Sequence, residues 1–290
     1  MMQTYGISVI RTVPELRDQT AAWRDEDERI ALVPTMGALH EGHIALVRRA
    51  LETCDRVIVS LFINPTQFGK NEDLSVYPHD EIGDIEILEE LGIHVLYAPT
   101  MEEMYPDGFA TSVRVSELTE GLCGVFRPVH FAGVATVVTK LLLQSLPDVA
   151  VFGEKDYQQL QIIRRLARDL DIPVLIDGVP TIREEDGLAL SSRNAYLSPR
   201  ERVMAPSLFK VLQKVATGLQ AGEVVQGLME AGKRELLKDG FSKVDYFEVC
   251  DAETLKPVSR IKAAARVLAA AYLGKTRLID NHPVVANRGD

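Results

Sequence analysis

Short, unbroken apolar runs rich in β-branched residues alternate with amphipathic stretches through the first two thirds of this chain, and that alternation constrains the fold most. Ile30 to Val33, Ile44 to Leu51 and Val57 to Ile63 read in order as strand, helix and strand, a βαβ unit. The pattern continues with a helix over Ile82 to Leu91, ended by Gly92, and a strand over Val95 to Ala98. A longer helix over Gly133 to Leu146 is ended by Pro147; then come the strand Val149 to Phe152, the helix Tyr157 to Leu170 and the strand Val174 to Ile176. Strands that are continuous hydrophobic runs between helices belong in a parallel sheet covered on both faces. The expectation is a doubly wound, Rossmann-like α/β domain.

After Arg183 the texture changes. Polar Glu184 to Gly187 leads into Ser191-Ser192-Arg193-Asn194, Pro199 begins a helix reaching Gly218, and another helix runs over Val224 to Lys238. Strands follow at Val244 to Cys250, Val267 to Tyr272 and Thr276 to Ile279. Two helices followed by strands predict a smaller C-terminal α+β domain. The expected domains are 1–183, a Rossmann-like ligand-binding domain, and 184–290, a lid; a chain of 290 residues suits two domains.

Charge narrows the function. Lys and Arg number 32 against 42 Asp and Glu, a net charge of −10, which disfavours a mainly electrostatic nucleic-acid binder and leaves only a local basic site open. Cys54, Cys123 and Cys250 are too far apart for a metal cluster and odd in number, so the expectation is reduced thiols in a cytoplasmic protein. Met1 to Ile10 has no basic cluster followed by an apolar leader, and the most apolar stretch, Ala263 to Leu273, is interrupted by Arg266, so no membrane segment is expected.

The most informative segment is Pro34-Thr35-Met36-Gly37-Ala38-Leu39-His40-Glu41-Gly42-His43, which runs from a buried strand through a tight loop into a helix. In an open α/β sheet such a loop lies where ligands bind, and its N–H groups with the helix dipole favour an anion, for which phosphate is the natural tenant. His40 and His43, three apart at a helix start, are able to point to one side and donate to phosphate oxygens. A zinc site would need a third ligand, and the segment offers none in the required order. No GxGxxG is present, which disfavours a dinucleotide.

Other candidates read less sharply from residue type alone. Lys155 and Asp156, between a strand and a helix, are suited to offset phosphoryl charge and to accept from a ribose hydroxyl, although Lys-Asp at a helix start is ordinarily a charged first turn. Gln67 and Gln159 each donate and accept, which suits a substrate with hydroxyl and carboxylate groups. Ser191-Ser192-Arg193 reads as an interdomain loop or as a segment that closes over a triphosphate. Arg127 and His130 suit either a carboxylate ligand or a supporting role. Asp84, a single acid on a helix, reads as solvated, with a water-mediated magnesium contact as the alternative. His94 and His282 read as structural or exposed, the role of His79 stays open, and Trp23 adjoins the charged, solvated stretch Arg24 to Arg29.

The Thr-Met-Gly lead-in with His-x-Gly-His resembles the nucleotide-binding signature of class I aminoacyl-tRNA synthetases and related nucleotidyltransferases. Together with Phe62-Ile63-Asn64-Pro65-Thr66-Gln67-Phe68, Arg127 to Val134, Gly153-Glu154-Lys155-Asp156-Tyr157-Gln158-Gln159, Ser191 to Asn194 and Thr276-Arg277-Leu278-Ile279-Asp280-Asn281, the decapeptide resembles the pantothenate synthetase family over nearly the whole chain. The resemblance implies ATP contacts at Met36, Gly37, His40, His43, Gly153, Lys155, Asp156, Ile182, Leu190, Ser191, Ser192 and Arg193. It implies pantoate and β-alanine contacts at Gln67, Gln159 and Asn64, catalytic roles for His43, His40 and Lys155, Mg²⁺ with no assigned protein ligand, and a homodimer.

The implied reaction joins pantoate to β-alanine through a pantoyl adenylate, releasing pyrophosphate and then AMP, with the second domain closing over the intermediate. No protein nucleophile is needed, because the attacking carboxylate is already ionised near neutral pH. Three alternatives are a nucleotidyltransferase with a phosphorylated acceptor, a silent ATP sensor and a tRNA synthetase. The paired glutamines disfavour the first, retention of His40, His43, Lys155 and Arg193 the second, and the acidic charge with a short second domain the third.

Overall fold

The computed structural model describes residues 6–70 and 72–285. Asn71, the first five residues, which include half of the segment read for a leader, and the last five, which end the expected second domain, lie outside the described residues. In chain order the elements are β1 (Ser8–Ile10), α1 (Val13–Asp25), β2 (Ile30–Thr35), α2 (Glu41–Thr53), β3 (Arg56–Leu61), α3 (Glu81–Leu91), β4 (Val95–Tyr97), α4 (Met101–Met104), α5 (Cys123–Phe126), α6 (His130–Ser145), β5 (Val149–Gly153), α7 (Tyr157–Asp169), β6 (Leu175–Val179), α8 (Pro199–Met204), α9 (Ser207–Gln220), α10 (Val225–Lys238), β7 (Lys243–Asp251), β8 (Ala265–Leu273) and β9 (Thr276–Val284).

Two compact units emerge. The first runs to Ser116 and takes in Arg127–Glu154 and Ile162–Pro180; the second comprises Glu117–Phe126, Lys155–Gln161 and the chain from Thr181 on. Residues 117–126 and 155–161 are tied to each other by Gln158, whose Oε1 accepts from Cys123 N–H and whose Nε2 donates to the Leu118 and Gly121 carbonyls.

The first unit holds the expected Rossmann-like sheet, six parallel strands in the order β1-β4-β3-β2-β5-β6. Ile30 to Val33 of β2 and Val57 to Val59 of β3 are fully buried, as continuous apolar strands between helical layers must be. From β2 the chain steps outward through β3 and β4, then returns to lay β5 and β6 on the other side of β2, so the topological switch point falls between β2 and β5. Pro34 has no N–H to give a neighbouring strand. The β2–β5 ladder accordingly ends at Leu32↔Ala150, whereas β2–β3 pairing continues to Thr35↔Leu61 and β5–β6 pairing to Gly153↔Val179. The sheet therefore parts at the carboxyl ends of its two switch-point strands.

The second unit carries the expected α+β core: β7, β8 and β9 form an antiparallel sheet with β8 central, packed against α9 and α10 through Leu212, Leu236, Phe247 and Val267. The single helix expected from Pro199 to Gly218 is two, α8 and α9, because Pro206 removes a backbone donor in its middle. Four elements were not expected at all: β1, α1 and the single-turn helices α4 and α5. β1 is only three residues long, and α1 hides its apolar stripe in polar sequence: Leu16, Thr20 and Trp23 share the buried face, with Trp23 only 7% exposed beside the solvated residues that follow it. Thr12 caps α1 by accepting from Glu15 N–H. Among the described residues no helix is long and apolar enough to cross a membrane.

Candidate active site

The loop after β2 turns sharply through Gly37 (φ 81°) and Ala38 (φ 51°) before α2 begins. Its amides are engaged within the first unit. Gly37 N–H donates to Thr35 Oγ1 at 3.3 Å, Ala38 N–H to Asp84 Oδ2 at 2.9 Å and Leu39 N–H to Asp84 Oδ1 at 2.8 Å. His40 N–H donates to His43 Nδ1 at 3.4 Å, and Gly42 N–H donates to His40 Nδ1 at 3.1 Å, so the two histidines form a reciprocal cap on α2. Of the backbone groups expected to favour an anion, these five are held by a threonine hydroxyl, an internal carboxylate and two imidazole nitrogens.

That arrangement sets the tautomer of the two neutral histidines. An Nδ1 that accepts a hydrogen bond carries no proton, so the neutral rings hold theirs on Nε2. The rings lie 4.1 Å apart, tilted by 36°. On each neutral ring the remaining donor is then Nε2–H, and the helix dipole favours negative charge at this end of α2.

Asp84, expected in solvent, is 3% exposed. Burial raises its pKa, and the Leu39 and Ala38 N–H bonds oppose that rise without cancelling it. Neither residue type nor an isolated acidic position announces this role. The signal lies in spacing: Asp84 sits on the same helical stripe as Ile85 and Leu88, the buried face of α3.

On the neighbouring β3 loop, Gln67 is held from several sides. Its Oε1 accepts from Asn64 Nδ2 at 3.0 Å, and its Nε2 lies 3.1 Å from Met36 Sδ. Asn64 is 1% exposed; its Nδ2 also donates to Gly133 O at 3.2 Å, and its Oδ1 accepts from Tyr105 Oη–H at 2.9 Å and Thr66 Oγ1–H at 2.8 Å. The structure thus gives Asn64 an orienting position behind Gln67. His130 donates from Nδ1 to the Gln67 carbonyl at 2.9 Å, a contact of the supporting kind. Tyr105 was missed, since nothing in its local sequence marks it.

Arg127 is likewise engaged, with its Nε and terminal nitrogen both on the Glu72 carboxylate. Burial alone raises Glu72, but the Arg127 hydrogen bonds and charge more than offset it, so its pKa lies below the ordinary value of 4.5. A depressed folded-state pKa means stability that is present above the unfolded value and lost as pH falls through the folded one. Glu72→Gln is expected to cost about 1–2 kcal/mol at neutral pH. The gap from wild type should narrow below about pH 4.5, as linkage requires; equal gaps at neutral and acid pH in urea denaturation would contradict this.

In the second unit, Lys155 and Asp156 form a 3₁₀ turn leading into α7, with Lys155 Nζ 3.8 Å from Asp156 Oδ2. The Lys155 carbonyl accepts from Asn281 Nδ2 at 3.1 Å. Asn281 Oδ1 accepts from Arg266, whose guanidinium lies 3.7 Å from the centre of the Tyr157 ring, and Tyr157 Oη–H donates to Ala252 O at 2.9 Å. Adjacent Asp280 takes a bidentate pair from Arg183 at 2.7 and 2.9 Å, and Arg183 stacks 3.6 Å from the centre of Phe209. The Thr276-to-Asn281 motif therefore anchors the lysine turn, a role its sequence did not reveal. Gln159 is half-buried.

Ile182 and Leu190 pair through Leu190 N–H to Ile182 O at 3.0 Å, either side of the turn at Glu184 to Gly187. Ser191 Oγ accepts from Arg193 N–H at 3.3 Å and caps the turn Ser192–Tyr196. Gly153 ends β5 in the first unit, with open space where a side chain would stand.

A parallel sheet that parts at its switch point, with a loop there carrying two helix-capping imidazoles, is a ligand-binding position of a Rossmann-like α/β fold. The family described as Pantoate-beta-alanine ligase matches residues 8–283. A pantothenate synthetase of Paramagnetospirillum magneticum is 60% identical over 276 residues, covering 95% of this chain and 97% of that protein. The crystal structure of pantothenate synthetase from Thermus thermophilus has a TM-score of 0.90 at 47% identity, covering 96% of this chain and 100% of that one. The pantoate-beta-alanine ligase of Francisella tularensis, complexed with beta-gamma ATP and beta-alanine, has a TM-score of 0.80 at 34% identity, covering 96% of this chain and 97% of that one. The chain belongs to the pantoate-beta-alanine ligase family, a family of enzymes.

Proposed function

We propose that the chain condenses pantoate with β-alanine in two ATP-dependent half-reactions. A pantoate carboxylate oxygen bonds to the α-phosphorus of ATP and the bond to the bridging oxygen breaks, releasing pyrophosphate. The β-alanine amine then attacks the acyl carbon of the pantoyl adenylate, expelling AMP and losing a proton. The observation that carries this reading is the reciprocal cap of α2, which places the neutral-ring protons of His40 and His43 on Nε2 at a parallel-sheet switch point. The complex named for the Francisella ligase supports ATP and β-alanine as substrates.

In this reading His43 donates to charge growing on the α- and β-phosphates, with His40 and Lys155 sharing that load. Met36, Gly37, Gly153, Asp156, Ile182, Leu190, Ser191, Ser192 and Arg193 complete the ATP contacts. Gln67 and Gln159 bind pantoate, with Gln67 also near β-alanine. Asn64 serves that site by fixing the Gln67 amide before substrate arrives, so less ordering remains to be done on binding.

Mg²⁺ enters this reading as a partner of the triphosphate, held through phosphate oxygens, where it neutralises phosphate charge. Among the described residues no group of three or more His, Cys, Asp or Glu side chains is placed to hold a metal. A two-fold dimer and a cytoplasmic location complete the reading; the free thiols at Cys54, Cys123 and Cys250 support the latter, and sedimentation as a monomer at micromolar concentration would remove the former.

The test is exchange of labelled pyrophosphate into ATP with Mg²⁺ and without β-alanine. Exchange that depends on pantoate is expected. No exchange, with no AMP formed after β-alanine is added, would overturn the reading.

A further inference from the structure

Asp84 is a buried carboxylate set directly against the histidine loop, and the proposed reaction does not use it. It reaches from α3 to the loop after β2 and takes two successive amides, Ala38 on Oδ2 and Leu39 on Oδ1, at 2.9 and 2.8 Å. Those amides belong to a turn in which both Gly37 and Ala38 adopt positive φ, and Ala38 carries a Cβ that disfavours this conformation. A turn of this kind persists only when surrounding groups hold it. A Cβ on Gly37 would stand 2.8 Å from Asp84 Oδ2, so the clasp gives a second reason, besides φ, for glycine at that position. His40 follows Leu39 directly, and its ring caps α2.

We infer that Asp84 is a positioning residue for the His40–His43 pair: by holding the Ala38 and Leu39 amides it fixes the turn from which His40 emerges, and with it the reciprocal cap that leaves Nε2–H as each ring's donor. The same clasp keeps an incoming phosphate off these two amides and leaves it to the imidazoles. A merely solvated acid accounts for none of this, because burial of a carboxylate is unfavourable unless its hydrogen bonds compensate.

The inference rests on the reading that these imidazoles act on ATP, and its test separates the two. Asp84→Asn is nearly isosteric but sets an NH₂ donor against a backbone N–H. The variant is expected to lower kcat for pantoate-dependent pyrophosphate exchange about 10- to 100-fold, the scale of a small misplacement of reacting groups, with the KM for pantoate within about twofold. Nitrogen-15 spectra of its histidines should show loss of the Nε2–H tautomer at His40 or His43. A folded Asp84→Asn protein with wild-type kcat, or one that loses kcat with both tautomers intact, overturns the inference. Hydrogen exchange in the wild-type protein gives a reading that needs no variant: slow exchange at Ala38 and Leu39 is expected, and free-chain rates there overturn the clasp. If wild type itself exchanges no pyrophosphate, the reaction reading fails, while a tautomer change in Asp84→Asn still supports the clasp.

Discussion

Replacing His43 by alanine is expected to lower turnover in pantoate-dependent pyrophosphate exchange by about 10²–10³-fold, the range of a lost proton donor, with pantoate affinity changed by less than about twofold. The asymmetry follows from where the ring acts. His43 has its Nδ1 committed to the His40 amide, so its chemistry is at Nε2, and the charge it meets there grows only as the bond to pyrophosphate breaks. Pantoate is assigned to Gln67 and Gln159 instead. Alanine also removes half of the α2 cap, a loss of about 1 kcal/mol in stability. His43→Asn separates these effects, since its side-chain oxygen is able to replace Nδ1 as the acceptor but nothing replaces Nε2–H. It should recover most of the stability and little of the turnover. Calorimetry showing pantoate affinity and turnover falling together in His43→Ala would remove the proton-donor role.

The sheet was legible because its strands are buried on both faces and therefore read as continuous apolar runs; β2, β3 and β5 needed no context. α1 was not legible, because its buried stripe includes Thr20 and is flanked by charge, so only the i, i+4, i+7 spacing of Leu16, Thr20 and Trp23 betrays it. The joined helix over α8 and α9 fails at Pro206, a breaker that sequence does display. At the site, residue types such as histidine and lysine announce phosphate chemistry, but their supports do not. Asp84, Tyr105, Arg183 and Arg266 act through contacts that span distant segments, for which no local spacing gives a partner. The loop amides are a sharper case: glycines and a helix start predict an anion cradle, and only the tertiary position of Asp84 reveals that the Ala38 and Leu39 amides take an internal carboxylate.

Gly133→Ala inverts what local propensity predicts. Alanine is favoured over glycine inside a helix by about 1 kcal/mol, so α6 considered alone should gain stability. The helix is not alone: a Cβ at this position would lie 2.5 Å from Thr66 C and O and 2.6 Å from Gln67 N, all backbone atoms with no rotamer to relieve the overlap. Either α6 or the turn Pro65–Gln67 has to move, and the Asn64 bond to the Gly133 carbonyl, at 3.2 Å, moves with it. Overpacking of this kind costs about 1–3 kcal/mol. The net expectation is a protein less stable by about 1–2 kcal/mol in urea denaturation, the overpacking exceeding the helix gain. Displacement of the Gln67 amide should raise the KM for pantoate about tenfold, the scale of a single lost or strained hydrogen bond, with the KM for ATP little changed. A variant more stable than wild type with an unaltered pantoate KM would show that the helix and turn adjust freely, and would detach Gln67 from the packing that here defines its position.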